Sequence, residues 1–124
     1  MLTNLKPYVY KKGENPELDA EFRNAQACGN VKPGQTALFW KSGLRWYTVP
    51  LERAQRIFRR VVPVYGKVCC GSRSFIMEKL VLLLKDGTEL ELYIGDDMER
   101  QAAALLQGLQ TAHPEIRFGK PTEQ

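Results

Sequence analysis

Residues 79–94, KLVLLLKDGTELELYI, carry the strongest local structural signal in the chain. The dipeptide Asp86-Gly87 fits the two positive-φ positions of a two-residue type I′ turn, and both of its flanks are typical of strands. The second flank alternates apolar residues with Glu and Tyr, so one face of that strand is expected to be buried. Its apolar residues are Leu90, Leu92 and Ile94. The stretch therefore predicts a β-hairpin with one face in the core.

A helix is predicted directly after this hairpin. Asp96 or Asp97 is placed to cap it, and Glu99 lies three residues after Asp96, as in a capping box. Pro114 prevents its continuation, so residues 114–124 are expected to form an extended tail with a loose end. One stripe of the helix is apolar and consists of Met98, Ala102, Leu105, Leu106 and Leu109. That stripe predicts packing against the sheet.

Two further signals precede residue 50. Asn15 followed by Pro16 offers a helix cap and a first-turn proline, which predicts a short helix that ends at Cys28-Gly29-Asn30. The runs TALFW, residues 36–40, and LRWYTV, residues 44–49, are rich in aromatic and β-branched residues and are separated by a short turn. They predict a second hairpin.

ERAQRIFRRVVPVYG, residues 52–66, leaves two alternatives open. As a helix from Leu51, it shows a passable apolar stripe, and periodicity alone slightly favours this interpretation. As a strand from Gln55, it places arginines on both faces. We favour the strand, preceded by a helical turn at residues 50–53, because β-branched residues crowd its second half and Pro63 follows, where a helix would end.

Downstream of Pro63, VYGKVCC, residues 64–70, is a further strand candidate, and a loop is predicted at residues 71–74. The predicted order is one short helix, about six or seven strands in consecutive antiparallel pairs, and one amphipathic helix. This order indicates a mainly β (α+β) fold class. We expect a strongly bent antiparallel sheet or partly open barrel, with the last helix covering its open end.

Three stretches together resemble one known family. They are TALFW, the strand–proline–strand passage LRWYTVPLERAQRIFRRV, and KLVLLLKDGTELELYI with the helix from Asp96. These stretches resemble a bacterial pleckstrin-homology-like (PH-like) domain over residues 35–118. The resemblance implies a bent sheet of seven strands closed by a carboxy-terminal helix. Residues 1–34 would then be an N-terminal extension with a short helix, and residues 119–124 a flexible tail.

Composition and charge indicate one globular domain with a basic middle third. The chain has 124 residues, of which 44% are hydrophobic and 26% charged. Residues 41–73 hold eight basic residues and one acidic residue, whereas residues 74–124 hold five basic and nine acidic residues. The amino terminus lacks the pattern of a secretory signal and no apolar run is long enough for a membrane span, so a cytoplasmic location is predicted.

The residue types that carry catalysis or bind metals do not combine into a recognised pattern. The single histidine, His113, precedes Pro114 and is interpreted as a helix-end residue. Three cysteines with one distant histidine do not provide the four ligands of a zinc site. Glycine-rich nucleotide loops are absent from the sequence. We therefore predict no enzymatic activity, no cofactor and no metal.

The basic middle third supports two interpretations. In the first, its arginines are solvated residues whose stems cover apolar surface, and Arg59 pairs with Glu89 or Glu91 of the hairpin. In the second, eight basic residues form one positive surface for a partner. These residues are Lys41, Arg45, Arg53, Arg56, Arg59, Arg60, Lys67 and Arg73.

The predicted function is that of a non-catalytic binding or assembly module. It would act by protein–protein interaction or by attachment to an acidic surface through the basic face, and the expected partner is an acidic protein surface or an anionic membrane face. The alternative is single-stranded nucleic-acid or anionic-lipid binding by the same face. Three aromatic residues near the basic ones in sequence offer stacking surfaces for bases, namely Trp40, Trp46 and Tyr47.

Overall fold

The computed structural model describes residues 8–68 and 71–119, without the side chains of residues 66–68 and 71–73. In this part of the chain the elements are, in order, α1 (Pro16–Asn24), β1 (Val31–Pro33), β2 (Ala37–Ser42), β3 (Arg45–Pro50), β4 (Ala54–Val68), β5 (Gly71–Leu84), β6 (Glu89–Asp96), α2 (Glu99–Ala112) and β7 (Arg117–Phe118). They form a three-stranded sheet, β1-β2-β3, and a four-stranded sheet, β6-β5-β4-β7. The predicted mainly β class is confirmed, and the described strands form no closed barrel.

Both faces of the three-stranded sheet are covered. The first four residues of β2 are all buried, which is unusual for an antiparallel strand and shows that each face packs on something. Leu38 and its cross-strand partner Val49 face the main core. The opposite face carries an aromatic cluster of Tyr10, Phe22, Phe39 and Trp46. The predicted hairpin of β2 and β3 is confirmed, and α1 packs on its outer side.

Helix α1 begins where the sequence predicts. The side-chain oxygen of Asn15 accepts hydrogen bonds from two backbone amides of the first turn, at 3.0 and 3.1 Å. The helix ends at Asn24, however, and not at Cys28–Asn30. Within that segment Gly29 has a φ of +59°, and a Cβ atom there would lie 2.1 Å from the carbonyl oxygen of Ile94. Glycine is needed because the loop approaches β6 too closely for any side chain.

The ambiguous arginine-rich stretch is a helical turn followed by a strand. Leu51–Arg53 form one 3-10 turn, and β4 then runs without interruption from Ala54 to Val68. The strand alternative is therefore right and the helical one wrong. VYGKVCC is not a separate strand, because its residues as far as Val68 continue β4 through Pro63. The loop predicted at residues 71–74 is also wrong, since these residues begin β5; Cys69 and Cys70 lie outside the described residues.

The hairpin of β5 and β6 is confirmed, but its turn differs from the prediction. Leu82 and Leu90 are cross-strand partners and both are buried. Gly87 has a φ of +94°, whereas Asp86 does not adopt the left-handed conformation, so the predicted type I′ turn is wrong. The Asp86 carboxylate instead accepts a hydrogen bond from the amide of Thr88 at 2.9 Å. Asp favours turns because its short side chain binds the backbone two residues on.

Helix α2 joins the two sheets in one hydrophobic core. Its buried residues are Ala102, Leu105 and Leu109. Leu106 is only partly buried, so the predicted stripe is narrower than the sequence suggests. The N-cap residue is Met98, which makes no side-chain capping bond, and the predicted capping by Asp96 or Asp97 is wrong. Neither of the two helices in the described residues has the length and apolar character of a membrane span.

After α2 the chain returns to the four-stranded sheet. His113 lies at the end of α2, as predicted, and the buried Ile116 follows it. β7 then pairs in parallel with Arg56 and Ile57 of β4. The predicted extended tail is therefore fixed to the sheet as far as Phe118.

Candidate functional site

The outer halves of β4 and β5 form a two-stranded arm that extends beyond the other strands. β4 and β5 stay paired with each other as far as Val68 and Gly71. β6 accompanies β5 only as far as Met77, and β7 accompanies β4 only at its beginning. We define residues 61–68 and 71–77 as the arm. At about 3.3 Å per residue it is roughly 25 Å long.

An ion pair between Arg59 and Glu78 lies at the edge of the hydrophobic core, at the base of the arm. The Nε atom of Arg59 lies 2.9 Å from Oε1 of Glu78, whose side chain is only 1% exposed. Both side chains lie on the same face of the sheet as the buried Ile57 and Leu80, because they are two residues away in their strands. A buried carboxylate is tolerated only when it is paired. The pair therefore forms a polar boundary between the core and the arm.

Beyond that boundary the same face of the ribbon is apolar and exposed. It carries the apolar residues Val61, Pro63, Tyr65 and Ile76, which we call the inner strip, together with the polar Ser74 opposite Tyr65. Tyr65 is 81% exposed, Val61 43% and Ile76 40%. The inner strip thus continues the core face of the sheet past the polar boundary, as an uncharged surface in contact with water.

The opposite face of the arm is less exposed than the inner strip. Val62 and Met77 are cross-strand partners, as are Val64 and Phe75, and all four are half-buried. Apolar cross-strand pairs stabilise a ribbon by about 0.2–1 kcal/mol each. A two-stranded hairpin by itself is marginally stable in water. These pairs hold the ribbon together and leave the inner strip available for contact.

Asp97, at the end of β6, forms two hydrogen bonds with Ile76 at the base of the arm. Its backbone amide donates to the carbonyl oxygen of Ile76 at 2.7 Å, and its carboxylate accepts from the amide of Ile76 at 3.0 Å. Asp97 has a φ of +55°, in the left-handed region that Asp and Asn adopt more readily than other side chains. Both backbone polar groups of Ile76 are occupied on this edge, so a further strand cannot pair there.

A second charged cluster lies on the opposite face of β4 and β5 from the polar boundary. Arg60 contacts Glu91 and Glu89, and Lys79 contacts Glu91 at 3.1 Å. Burial raises the pKa of Glu91, but hydrogen bonds from Arg60 and Lys79 outweigh burial and hold this pKa below its usual value. The predicted pairing of Arg59 with Glu89 or Glu91 is wrong. The next residue, Arg60, makes these pairs, because Arg59 and Arg60 project from opposite faces of β4.

The basic residues predicted to form one surface lie at several places in the fold. Lys41 and Arg45 are exposed beside the turn between β2 and β3. Arg53 lies beside the β5–β6 turn, where its carbonyl oxygen accepts a hydrogen bond from the turn backbone. Arg56 donates to the carbonyl oxygen of Gly119 at 3.0 Å.

The remaining predicted basic residues lie along β4 and β5. Arg59 and Arg60 each pair with a carboxylate, on opposite faces. Lys67 and Arg73 belong to the far part of the arm by register, and their side chains lie outside the described part of the structure. Whether the predicted residues form one binding surface stays a prediction, although those described are spread over separate elements.

Lys41 also borders a groove of about 450 Å³ between β2 and β6. Trp40, Glu91 and Tyr93 line it together with Lys41, and its lining contains neither histidine nor cysteine. The hydroxyl of Tyr93 donates to Asp96 at 2.6 Å, which raises the pKa of Tyr93 to about 12. The groove therefore combines aromatic and charged groups without an evident nucleophile and base pair.

Sequence reasoning missed the arm, and with it the roles of Glu78 and Asp97. The signal was present in the runs VVPVY, residues 61–65, and FIM, residues 75–77, which contain no charged residue. The contrast is with residues 88–94, where Glu alternates with Leu because only one face is buried. An uninterrupted apolar run in an antiparallel strand indicates that both faces are apolar.

The rest of the described chain offers no competing site with clear chemistry. Within residues 8–68 and 71–119 no three histidine, cysteine, aspartate or glutamate side chains are grouped so as to hold a metal ion. Comparisons with known protein families, with curated proteins and with solved structures gave no match for this chain. The arm is the structural feature that most needs a functional explanation.

Proposed function

We propose that this chain is a non-catalytic assembly module that binds another protein through the inner strip of the arm. The observation that carries the proposal is the exposed apolar face beyond the Arg59–Glu78 boundary. Apolar surface rimmed by polar residues is typical of interaction sites. The buried hydrophobic core contains no described residue of the arm, so we expect the rest of the chain to fold without it.

The composition of the arm favours a protein partner. Its residues 61–65 and 74–77 are all uncharged, whereas the far part of the arm contains Lys67 and Arg73. Nucleic-acid binding depends on basic groups that neutralise phosphates. Protein interfaces instead have apolar centres enriched in Tyr, Phe and Met.

A second candidate is attachment to an acidic surface, single-stranded nucleic acid or anionic lipid through basic residues. It is favoured by residues 53–77, which contain six basic residues and no acidic one. It is weakened because Arg59 and Arg60 are each neutralised by a carboxylate. Fluorescence anisotropy with a labelled single strand, in a salt titration, tests this candidate, for which affinity should fall steeply as salt rises.

The PH-like assignment is also a proposal. It is supported by the antiparallel sheet of β1, β2 and β3 and the antiparallel strands β4, β5 and β6, which precede a helix that packs on the common core. Six of the described strands precede α2 and one, β7, follows it. The family resemblance implied seven strands before the helix, so backbone chemical shifts that report a seventh strand before Glu99 would support the assignment, and six strands would count against it.

Site-specific photo-crosslinking tests the main proposal. A benzophenone amino acid replaces Tyr65 in one variant and Leu44 in another. Both variants are expressed in cells of the organism whose genome encodes the protein. Leu44 is a matched control because it is apolar and 97% exposed, but lies on the β2–β3 turn. We expect discrete protein adducts from position 65 and none from position 44.

Three outcomes of this experiment contradict the proposal. They are no adduct from position 65, equal adducts from both positions, and adducts from position 65 that nuclease or lipid extraction removes. The last outcome would support the second candidate, because it would show that the arm contacts nucleic acid or lipid.

A further inference from the structure

We infer that the outer edge of β6 is a second binding site, which takes an extended peptide of a partner protein that carries an acidic residue. The site lies in the groove between β2 and β6, on different elements from the inner strip. The inference therefore goes beyond the proposed function and does not depend on it. An extended peptide binds the edge of a sheet through its backbone, and the side chains beside it provide specificity.

The backbone of β6 has one side that faces β5 and one that does not. β6 is at the end of the four-stranded sheet, with β5 as its neighbour. The carbonyl oxygen of Thr88, directly before β6, accepts a hydrogen bond from the amide of Leu84 at 2.8 Å and therefore points towards β5. In an antiparallel pair the backbone groups of successive residues face alternately towards the partner strand and away from it. The groups of Leu90 and Leu92 therefore face β5.

The residues between them present their backbone groups outwards. They are Glu89, Glu91 and Tyr93, and no described residue forms a backbone hydrogen bond with these outward groups. The row is about 13 Å long at about 3.3 Å per residue. Unpaired amides and carbonyl oxygens along a strand edge are a template for pairing with a further strand.

Asn30 shows how a backbone can occupy this edge. Its amide donates to the carbonyl oxygen of Ile94 at 3.0 Å, and its carbonyl oxygen accepts from the amide of Lys41 at 2.8 Å. Asn30 therefore bridges β6 and β2 at one end of the groove. From Val31 onwards β1 runs along β2 away from Lys41, so in the described part of the chain no strand continues this bridge. An extended peptide in the groove would continue it.

The charges of the groove favour an acidic residue in that peptide. Lys41 and Glu91 are the charged residues in the lining of the groove, which has a volume of about 450 Å³. Glu91 is already paired with Arg60 and Lys79. Lys41 is exposed and forms no ion pair with any carboxylate that the structure describes. A carboxylate of the peptide can therefore pair with Lys41.

A second copy of β6 does not suit the same edge. Antiparallel pairing of two copies along the whole outward row would be centred on Glu91 and would place the two Glu91 residues opposite each other. Like charges directly opposite in a sheet are destabilising. Charged residues on an edge strand are also a usual protection against pairing between identical edges. The edge therefore suits a strand of different sequence.

A library of random heptapeptides, displayed in several copies on phage, tests the inference with the purified chain. We expect enrichment of peptides that contain Asp or Glu. The corresponding synthetic peptides should bind in the micromolar range or weaker, because a short strand covers less than the roughly 1,200 Å² of a stable interface. A library that yields no binding peptide, or only peptides without an acidic residue, overturns the inference.

Two substitutions at one position separate the backbone of β6 from its side chain. Glu91→Pro and Glu91→Thr both lose the carboxylate, but only proline also removes the outward amide, at a place where an edge strand tolerates it. We expect Glu91→Pro to bind a selected peptide at least about fivefold more weakly than Glu91→Thr, as for one lost hydrogen bond. Near-ultraviolet circular dichroism checks that both variants fold. Equal affinities of the two folded variants would contradict pairing at this edge.

Substitutions in β2 test the same site without a change in β6. Ser42→Trp should fill the groove and abolish binding, whereas Leu44→Trp on the neighbouring turn should leave the affinity unchanged. Lys41→Glu should weaken binding about two- to tenfold, as expected for the loss of an exposed ion pair. Arg45→Glu is its control, because Arg45 does not line the groove. Binding that survives Ser42→Trp would overturn the inference even if Glu91→Pro did not fold.

Amide hydrogen exchange gives the structural signature of strand addition. In the chain without peptide, the amides of Glu91 and Tyr93 should exchange faster than those of Leu90 and Leu92, and a selected peptide should protect Glu91 and Tyr93. Protection of these two amides before the peptide is added overturns the inference, because another segment or a second copy would then occupy the edge. Unchanged exchange with the peptide also overturns it. Crosslinking from position 65 is unaffected by either result, so the proposed function can stand or fail separately.

Discussion

Asp97 shows how a single residue fixes the base of the arm. We expect Asp97→Ala to lose the hydrogen bond to the amide of Ile76 and to strain the backbone at a φ of +55°. Asp97→Asn should retain both features, because its side-chain oxygen accepts the same bond and Asn tolerates this conformation. Amide hydrogen exchange at Ile76 should accelerate about fivefold in Asp97→Ala, as expected for about 1 kcal/mol. Equal acceleration in both variants would contradict this role.

The Arg59–Glu78 pair should contribute more to stability than the neighbouring Arg60 pairs. Removing one member leaves a buried charge without its partner, so Arg59→Met should lower the free energy of unfolding by about 2–4 kcal/mol. The double variant Arg59→Met/Glu78→Leu should recover most of this loss. Arg60→Met is the matched control and should cost less than about 1 kcal/mol, because Glu89 and Glu91 are both more exposed to water than Glu78. Urea unfolding measures all three values.

The hydrogen bond from Tyr10 to Asp19 gives stability a defined pH dependence. Burial, and then this hydrogen bond, raise the pKa of Tyr10 to about 12, and the same bond lowers the pKa of Asp19. The raised tyrosine pKa stabilises the fold fully below the unfolded value of about 10, and this contribution is lost as the pH rises from there through about 12. The lowered pKa of Asp19 has the opposite sign, so its contribution is lost as the pH falls.

Urea unfolding across the alkaline range checks this dependence. Tyr10→Phe should lose less stability than wild type between about pH 10 and 12, because it has no hydroxyl to ionise. Part of the alkaline loss of stability should remain in Tyr10→Phe, because the hydrogen bond from Tyr93 to Asp96 raises the pKa of Tyr93 in a similar way. An identical alkaline loss in Tyr10→Phe and wild type would show that Tyr10 does not contribute.

At the residue scale, the sequence predicted roles that depend on local chemistry. Asn15 caps α1, and His113 ends α2, because each signal concerns only neighbouring residues. The partner of Arg59 could not be predicted, because a shift of one residue along a strand reverses its face. Asp97 was expected to cap α2, and its actual partner Ile76 is brought to it by the register of β5 and β6.

At the scale of elements, the arm should be separable from the body. Residues Val62 and Met77 are cross-strand partners, so the segment between them can be replaced by Asn-Gly without a change in register. We expect the shortened chain to fold, because the core ends at the Arg59–Glu78 boundary. Near-ultraviolet circular dichroism and thermal melting should show a cooperative native state close to that of wild type. A shortened chain that does not fold would show that the arm is part of the core structure.

Helix α2 should stabilise the fold through its fully buried leucines. Leu105→Ala should cost about 2–5 kcal/mol, because the side chain is buried in the common core. Leu106→Ala should cost clearly less, since Leu106 is only partly buried. Urea unfolding of the two variants compares neighbouring positions of one helix. Equal losses would contradict the orientation of α2.

Element type was predictable wherever a strong pattern extended over several turns or strand residues. The β5–β6 hairpin and α2 follow directly from alternation and from the leucine stripe. The extent of β4 was not predictable, because Pro63 normally ends an element. β4 continues past Pro63 because a two-stranded arm leaves the proline on an unpaired edge.

At the scale of the whole molecule, the sequence predicted a mainly β fold covered by a helix, but not the division into two sheets. The break falls between β3 and β4, at the Leu51–Arg53 turn. The basic middle third was counted along the chain, whereas binding depends on positions in space. A strand turns neighbours such as Arg59 and Arg60 to opposite faces, so a run of charges in sequence need not form one charged surface.

Hydroxyl-radical footprinting of Tyr65 tests the central claim that the inner strip is a contact surface. The isolated chain at low concentration and the assembled protein in its cell are compared, with Leu44 as an internal reference. The account predicts that Tyr65 is highly reactive in the dilute chain and strongly protected in the assembled state, while Leu44 reacts equally in both. Protection of Tyr65 in the dilute chain, or equal reactivity of Tyr65 in the two states, would contradict it.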